Sequence, residues 1–136
     1  MSNMNDCKHP AQYASFASVH WVKQKNKEAW LDLFAEDAVV QDPVGCSRLD
    51  PAGQGHRGRE AIGRFWDSIV AGAEFEYTIY RSFPCGDECA NYWHAVNKFP
   101  DGTVYENNII GIYKVDQKGK VVSLKAFWDG SILVAG

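Results

Sequence analysis

Apolar residues in the first half of the chain recur at the three- and four-residue spacing of amphipathic helices. One such stripe covers residues 10–25, a second covers residues 26–37, and a third covers residues 59–70. The second stripe starts at Asn26, a residue type that commonly caps the first turn of a helix. The pattern therefore predicts three helices in the N-terminal half of the chain.

The second half of the chain changes to the alternation that is typical of β-strands. Residues 38–42 already form a short β-branched segment, which Pro43 ends because proline disfavours helix before it and cannot donate to a ladder. Four longer strands are predicted over residues 75–83, 90–99, 103–115 and 121–128. Turn residues separate them, so consecutive hairpins are expected.

Helices followed by hairpin-linked strands predict an α+β fold in which a curved antiparallel sheet forms a cone with three N-terminal helices. A curved sheet leaves a concave space beneath the helices, and an apolar lining would make it a pocket for a small organic ligand. The length of 136 residues suits one domain over residues 1–136, with residues 1–9 expected to be flexible.

The other face of the predicted sheet also needs cover. Trp93, Ala95, Phe99, Ile110 and Ile112 are predicted to alternate on this outer face. Because a soluble monomer rarely exposes a large apolar patch, we expect this face to be buried against a second copy in a two-fold homodimer.

Charge and composition narrow the range of partners. The net charge is −3, from 17 acidic and 14 basic residues, and no local Lys/Arg cluster stands out, so no nucleic-acid partner is expected. No apolar run approaches the roughly 20 residues that span a bilayer, and the N-terminus does not resemble a secretory signal. We expect a cytoplasmic protein with no membrane partner, and therefore reduced cysteines.

Cofactor and metal motifs are not evident. Cys85 and Cys89 have a spacing that zinc sites use, yet no second Cys/His pair follows, and a turn between strands is the simpler interpretation. No phosphate-binding glycine loop, paired-histidine helix or Ser-His-Asp order is found. The sequence thus predicts neither a cofactor nor a metal.

Four segments resemble a known family. Residues 33–45, which end in Asp-Pro-Val-Gly, and residues 58–66 look like the nuclear-transport-factor-2-like superfamily and, within it, the ketosteroid isomerase family. Residues 109–116 and 121–128 resemble that family's last two strands. The resemblance implies a conical pocket and acid/base chemistry, either isomerisation or a related lyase, cyclase or hydrolase step, on a small apolar carbonyl compound.

The family's active site, as the resemblance implies it, has a general-base aspartate and two donors to the developing oxyanion. In ketosteroid isomerase, an apolar environment raises the pKa of one aspartic acid, which therefore stays protonated and can donate a hydrogen bond. The base falls on Asp42, the oxyanion aspartate of the late strand falls on Gly111, and the tyrosine of the first helix falls near Ser18. The two unmatched donors motivate an alternative, a noncatalytic small-molecule binding protein, and a further one, an accessory dimerisation domain.

Asp42 and His94 are the predicted catalytic residues. Asp42 shares strand parity with Val40 and would point into the pocket, where desolvation makes a carboxylate a stronger base, although an Asp-Pro turn is also a common structural motif. His94 is predicted to face the pocket and to replace a missing donor, or else to be a buried histidine satisfied by a neighbour.

Four further residues are predicted to bind the substrate. Asn107 has the parity of Ile109 and is expected either to project its amide inward or to make a hydrogen bond at the strand end. Tyr92 and Trp128 are expected to be aromatic walls of the pocket, with a place in the core as the alternative. Ser18 completes this set through its position on the first helix.

Overall fold

A computed structural model describes residues 7–129, in which three helices pack against a curved, unclosed six-stranded sheet. The helices are α1 (Pro10–Lys23), α2 (Lys27–Leu31) and α3 (Gly58–Phe65), and a π-helical turn over Trp66–Val70 continues α3. The strands are β1 (Phe34–Gln41), β2 (His56–Arg57), β3 (Glu74–Cys85), β4 (Glu88–Lys98), β5 (Val104–Val115) and β6 (Val121–Phe127). The predicted fold class is confirmed.

The residues that precede α1 and α2 cap their first turns. His9 Nδ1 accepts a hydrogen bond from Ala11 N at 3.1 Å, and Asn26 Oδ1 accepts one from Ala29 N at 3.0 Å. Pro10 suits the first position of α1, because the N–H that proline lacks would be unpaired there in any case. The predicted start of the second helix at Asn26 is confirmed.

The second helix is shorter than the sequence pattern predicts. It ends at Leu31, and residues 34–37, which the pattern places in the second helix, belong to β1. Val121 N donates to Leu33 O at 2.8 Å, and Phe34 pairs with Val121 at the start of β1. These long-range pairings outweigh the local helical spacing of the apolar residues.

The sheet has the strand order β2-β1-β6-β5-β4-β3. Hairpins join β3 to β4, β4 to β5 and β5 to β6, as predicted, and Gly102 and Gly119 take the left-handed backbone in two of the turns. One pair, β1 and β6, is parallel, and β2 arises from the long loop before α3. Neither feature was predicted, because both depend on contacts between distant parts of the chain.

The helices cover the inward face of the sheet, and the core lies between the two layers. Trp30 packs its ring 4.7 Å from that of Phe34 and 5.1 Å from that of Trp66, measured between centroids. Trp30 and Trp66 are both buried. Ile62 and Phe65 add the apolar side of α3 to the same core.

The inward and outward faces of β4 are exchanged relative to the prediction. Trp93 and Ala95 are buried on the inward face, whereas Tyr92 and His94 lie on the outer face. Alternation along a strand separates two faces but does not say which is inside, and an error of one residue exchanges every side chain. The assignment of Trp93, Ala95 and Phe99 to the outer face is therefore wrong, since Trp93 and Phe99 border the internal cavity. The outward parity of Ile110 and Ile112 holds.

Three further expectations concern the N-terminal residues, the cysteines and the membrane. Residues 1–6, most of the segment expected to be flexible, lie outside the described residues, and His9 Nε2 lies 2.7 Å from Gly86 O. Cys46, Cys85 and Cys89 have no disulfide partner within residues 7–129. None of the helices in that range has the length and hydropathy needed to cross a membrane.

Candidate active site

A cavity of about 60 Å³ lies between the helices and the inward face of the sheet. Its wall is mostly aromatic and aliphatic, and among the residues that line it Asp42 is the one with a charged side chain. Sites for drug-sized ligands usually measure roughly 300–1,000 Å³. The cavity therefore suits a small ligand, and a ligand of steroid size enters only if lining side chains move.

Backbone contacts between β1 and β6 fix the position of Asp42. Gln41, the last residue of β1, pairs with Lys125 of β6, and Val44 N donates to Ala126 O at 2.9 Å. Asp42 is thus held beside Trp128, which directly follows β6. Trp128 Nε1 donates a hydrogen bond to Asp42 Oδ1 at 2.5 Å.

The environment of Asp42 changes its proton affinity. Burial against the apolar lining raises the pKa of the Asp42 carboxyl to about 6, and the hydrogen bond from Trp128 opposes this rise. The residue as a whole is half-buried, so the carboxylate is partly desolvated but still reachable. A carboxylate with this pKa is mostly ionised at neutral pH and is a stronger base than an exposed aspartate.

Three tyrosines line the cavity together with Asp42, and the charge of Asp42 acts on two of them, Tyr77 and Tyr113. Burial raises the pKa of Tyr77 and of Tyr113, and the negative charge of Asp42 raises both further. Both phenols therefore stay protonated at neutral pH and can donate hydrogen bonds. Sequence analysis missed them, although the parity of Tyr113 with Gly111 could have placed its side chain inward.

Ser18 lies at the junction of a buried hydrogen-bond group. Tyr113 Oη donates to Ser18 Oγ at 2.8 Å, and Trp30 Nε1 donates to the same atom at 2.9 Å. Ser18 Oγ accepts both hydrogens, so its own hydrogen is available to a further acceptor. Ser18 is buried and lines the cavity.

A second buried polar group anchors α1 to the sheet one turn before Ser18. Asn91 Nδ2 donates to Ser15 Oγ at 2.9 Å, and Ser15 Oγ donates to Ala11 O at 2.8 Å. Ser82 Oγ donates to Asn91 Oδ1 at 2.8 Å, which extends the group to β3. Because these polar atoms satisfy one another inside the core, they fix the position of the helix that carries Ser18.

Four of the six predicted site residues meet at the cavity. Asp42, Ser18, Asn107 and Trp128 all line it. Asn107 projects inward, as its parity with Ile109 predicted. The structure brings these residues together from α1, the end of β1, β5 and the segment after β6.

The other two predicted residues do not reach the cavity. His94 Nδ1 lies 3.0 Å from Asn108 Oδ1, and His94 Nε2 lies 3.5 Å from Glu106 Oε2. Tyr92 Oη donates to Asn108 Oδ1 at 3.2 Å. The prediction that Tyr92 and His94 face the pocket is wrong, because β4 directs their polar atoms towards partners on the solvent side of β5. Within residues 7–129, no group of three or more His, Cys, Asp or Glu is arranged to hold a metal ion.

Comparison with known proteins identifies the family. Residues 16–124 match the profile of the SnoaL-like domain. The chain belongs to the SnoaL-like domain family. This family lies within the nuclear-transport-factor-2-like superfamily, which the sequence motifs predicted. A search of curated proteins gives no match for this SnoaL-like chain.

Solved structures share the fold over most of the SnoaL-like chain. RV0760c from Mycobacterium tuberculosis is 32% identical, with 90% of this chain and 93% of that chain covered and a TM-score of 0.86, and it has also been solved in complex with estradiol-17beta-hemisuccinate. Delta 5-3-ketosteroid isomerase from Mycobacterium sp. is 32% identical, with 89% and 94% covered and a TM-score of 0.85. SalBIII, described as an epoxide hydrolase/cyclase-like enzyme, is 21% identical, with 87% and 89% covered and a TM-score of 0.73, and shares the fold alone.

Proposed function

We propose that this protein catalyses proton transfer at the carbon next to the carbonyl group of a small apolar compound, with Asp42 as the base. The observation that carries the proposal is a partly desolvated carboxylate on the wall of an apolar cavity, with a pKa raised to about 6 and a fixed orientation through Trp128. The similarity to a ketosteroid isomerase supports the same class of reaction.

The proposed isomerisation moves one proton and one double bond and requires no cofactor. Asp42 takes a proton from the carbon beside the carbonyl, the C–H electron pair moves into the enolate, and negative charge develops on the carbonyl oxygen. When the substrate is a β,γ-unsaturated ketone, the enolate is conjugated with that double bond, and the protonated Asp42 returns the proton to the γ carbon. The double bond thereby moves next to the carbonyl, which is restored. The developing charge needs a donor in the cavity, and we propose that the Ser18 hydroxyl supplies it while Tyr113 donates to Ser18 Oγ, with Asn107 binding the rest of the ligand. His94 has no place in this scheme because it lies on the other face of β4.

A small β,γ-unsaturated ketone tests the proposal. The conversion of 3-cyclohexenone into conjugated 2-cyclohexenone is followed by ultraviolet absorbance, and deuterium uptake next to the carbonyl of cyclopentanone is followed by NMR. We expect the protein to accelerate both. Binding of these ketones without any acceleration would favour the alternative function, a noncatalytic binding protein, which is supported by the presence of a single charged side chain in the cavity lining.

Replacing Trp128 by phenylalanine should shift the pH dependence of the reaction. The lost hydrogen bond favours the charged form of Asp42, so Trp128→Phe raises the carboxyl pKa above about 6. A hydrogen bond to a charged group is worth enough to move the acid limb of the pH–rate profile upward by roughly one to two pH units. The control is Trp21→Phe, a half-buried tryptophan of α1 outside the cavity. An acid limb that stays near pH 6 in Trp128→Phe would contradict this role for Trp128.

We also propose that the outer face of the sheet forms a homodimer. Tyr80, Tyr92, Ile110 and Phe127 form an apolar row across β3 to β6, with Ile110 paired to Tyr92 and to Phe127 and both Ile110 and Phe127 more than two-fifths exposed. Sedimentation should give a dimer that Ile110→Lys dissociates, while Tyr13→Lys on the exposed side of α1 leaves the dimer intact. A wild-type protein that stays monomeric at all concentrations would contradict the proposal.

A further inference from the structure

Trp93 is a tryptophan of the cavity wall whose ring contacts a neighbouring strand closely. It is 5% exposed, lies on the inward face of β4 and borders the cavity. Its ring lies directly over Gly111 on β5: a Cβ added to Gly111 would lie 2.0 Å from Trp93 Cζ3 and 2.1 Å from Cη2. Glycine is thus required at position 111 by the close approach of the ring, and the room that it leaves is filled by Trp93.

The contact with Gly111 also orients the indole. The three atoms nearest to the added Cβ, Cζ3, Cη2 and Cε3, belong to one edge of the six-membered ring. Nε1 belongs to the five-membered ring on the opposite side of the indole. The N–H of Trp93 is therefore directed away from Gly111, while the benzo edge is held against the strand backbone.

The Trp93 N–H is buried and has no hydrogen-bond acceptor among residues 7–129. The other two tryptophans of the cavity wall do have one: Trp30 donates to Ser18, and Trp128 donates to Asp42. Buried donors are nearly always paired in folded proteins, because a donor that makes no hydrogen bond keeps the full cost of its desolvation. The lining of one cavity thus holds two satisfied indoles and one whose acceptor is missing.

The groups around Trp93 do not fill this gap. Its ring centroid lies 6.3 Å from that of Tyr77 and 6.5 Å from that of Tyr113, and the Tyr113 hydroxyl is already directed to Ser18. An apolar ligand would leave the N–H without an acceptor, so the free-energy cost of the unmade hydrogen bond would remain. A ligand with an acceptor oxygen removes that cost when it binds.

We infer that Trp93 is a specificity-determining residue that donates its indole N–H to an uncharged oxygen acceptor of the ligand, such as a ketone. The inference rests on the ligand cavity of the proposed function but not on proton transfer by Asp42. It gives the cavity a preference among apolar ligands of one shape: the compound with an oxygen at the right place is selected over its hydrocarbon counterpart.

Two probes of nearly equal shape test the inference. Cyclopentanone carries an acceptor oxygen, and methylenecyclopentane carries a CH₂ group in its place. Replacing Trp93 by 3-benzothienylalanine keeps the bicyclic ring and removes the N–H. The preference for the ketone over the alkene, measured as a ratio of dissociation constants, should fall by roughly three- to tenfold, the usual contribution of one hydrogen bond. The control Trp66→Phe alters a buried tryptophan outside the cavity and should keep the ratio of the wild type.

A second measurement uses the unmodified protein. The indole N–H resonance of Trp93 should move downfield when cyclopentanone is added and should not do so with methylenecyclopentane. An unchanged affinity ratio in the benzothienyl variant, or failure of both probes to bind, would overturn the inference. The two probes report on binding, whereas deuterium exchange reports on proton transfer by Asp42. Preferential binding of the ketone without exchange would contradict the proposed function alone, and exchange without a preference that depends on Trp93 would contradict this inference alone.

Discussion

Asp42→Asn should lower the rate of deuterium exchange into a bound ketone by about 10²–10⁴-fold, the usual contribution of a positioned general base. An amide has the shape of the carboxylate but cannot accept the proton. The affinity for the ketone should change far less, because the apolar wall of the cavity is unaltered. The measurement is the rate of loss of the proton signal next to the carbonyl in D₂O, at saturating ketone.

The matched control for this variant is Asp37→Asn. Asp37 is an exposed aspartate of the same strand, β1, so its substitution makes the same change of charge outside the cavity. We expect it to keep the wild-type exchange rate. An Asp42→Asn protein that exchanges the ketone at the wild-type rate would show that another group is the base.

Asp42→Asn should also stabilise the folded protein, and the gain in stability should depend on pH. The folded-state pKa of Asp42 is raised from 3.8 to about 6, so the folded state binds the proton more tightly than the unfolded state does. Folding stability is therefore lost as the pH rises from about 4 through 6. At roughly 1.4 kcal/mol per unit of pKa, this loss is on the order of 3 kcal/mol.

Chemical denaturation across pH 3 to 8 measures this effect. The free energy of unfolding of Asp42→Asn, relative to that of the wild type, should rise by roughly 3 kcal/mol between pH 4 and pH 6 and then become constant. Asp37→Asn serves as the control for the change of net charge. A difference that does not vary with pH would mean that folding does not desolvate the Asp42 carboxyl.

Local patterns in the sequence were sufficient for most of the fold. The cap at Asn26, the glycine turns and the alternation of the long strands all act within a few residues, so helices and hairpins could be predicted from them. The end of the second helix could not, because Phe34 is drawn into a strand by pairing with Val121, which is distant in sequence. The parallel β1–β6 pair was missed for the same reason.

The candidate site, like the fold, could be predicted only where it depends on local sequence. Asp42 could be found because its motif and its place at the end of a strand are local properties of the chain. The hydrogen bond from Trp128 joins residues that are 86 positions apart in the sequence, and no local pattern indicates it.

The facing of β4 was assigned wrongly because both of its faces carry large side chains. The choice between them is made by the space above Gly111, which admits the ring of Trp93 and leaves Tyr92 and His94 outside. That space is a property of the assembled sheet.

The protonation of Asp42 can be measured by the pH titration of its carboxyl carbon. Carbon-13 NMR of the wild-type protein follows this signal, which is assigned by its absence from the Asp42→Asn spectrum. A carboxylate that is desolvated by the cavity wall should titrate with a midpoint of about 6. A midpoint near 3.8, the ordinary value for an exposed aspartate, would contradict the role of Asp42 as a partly desolvated base.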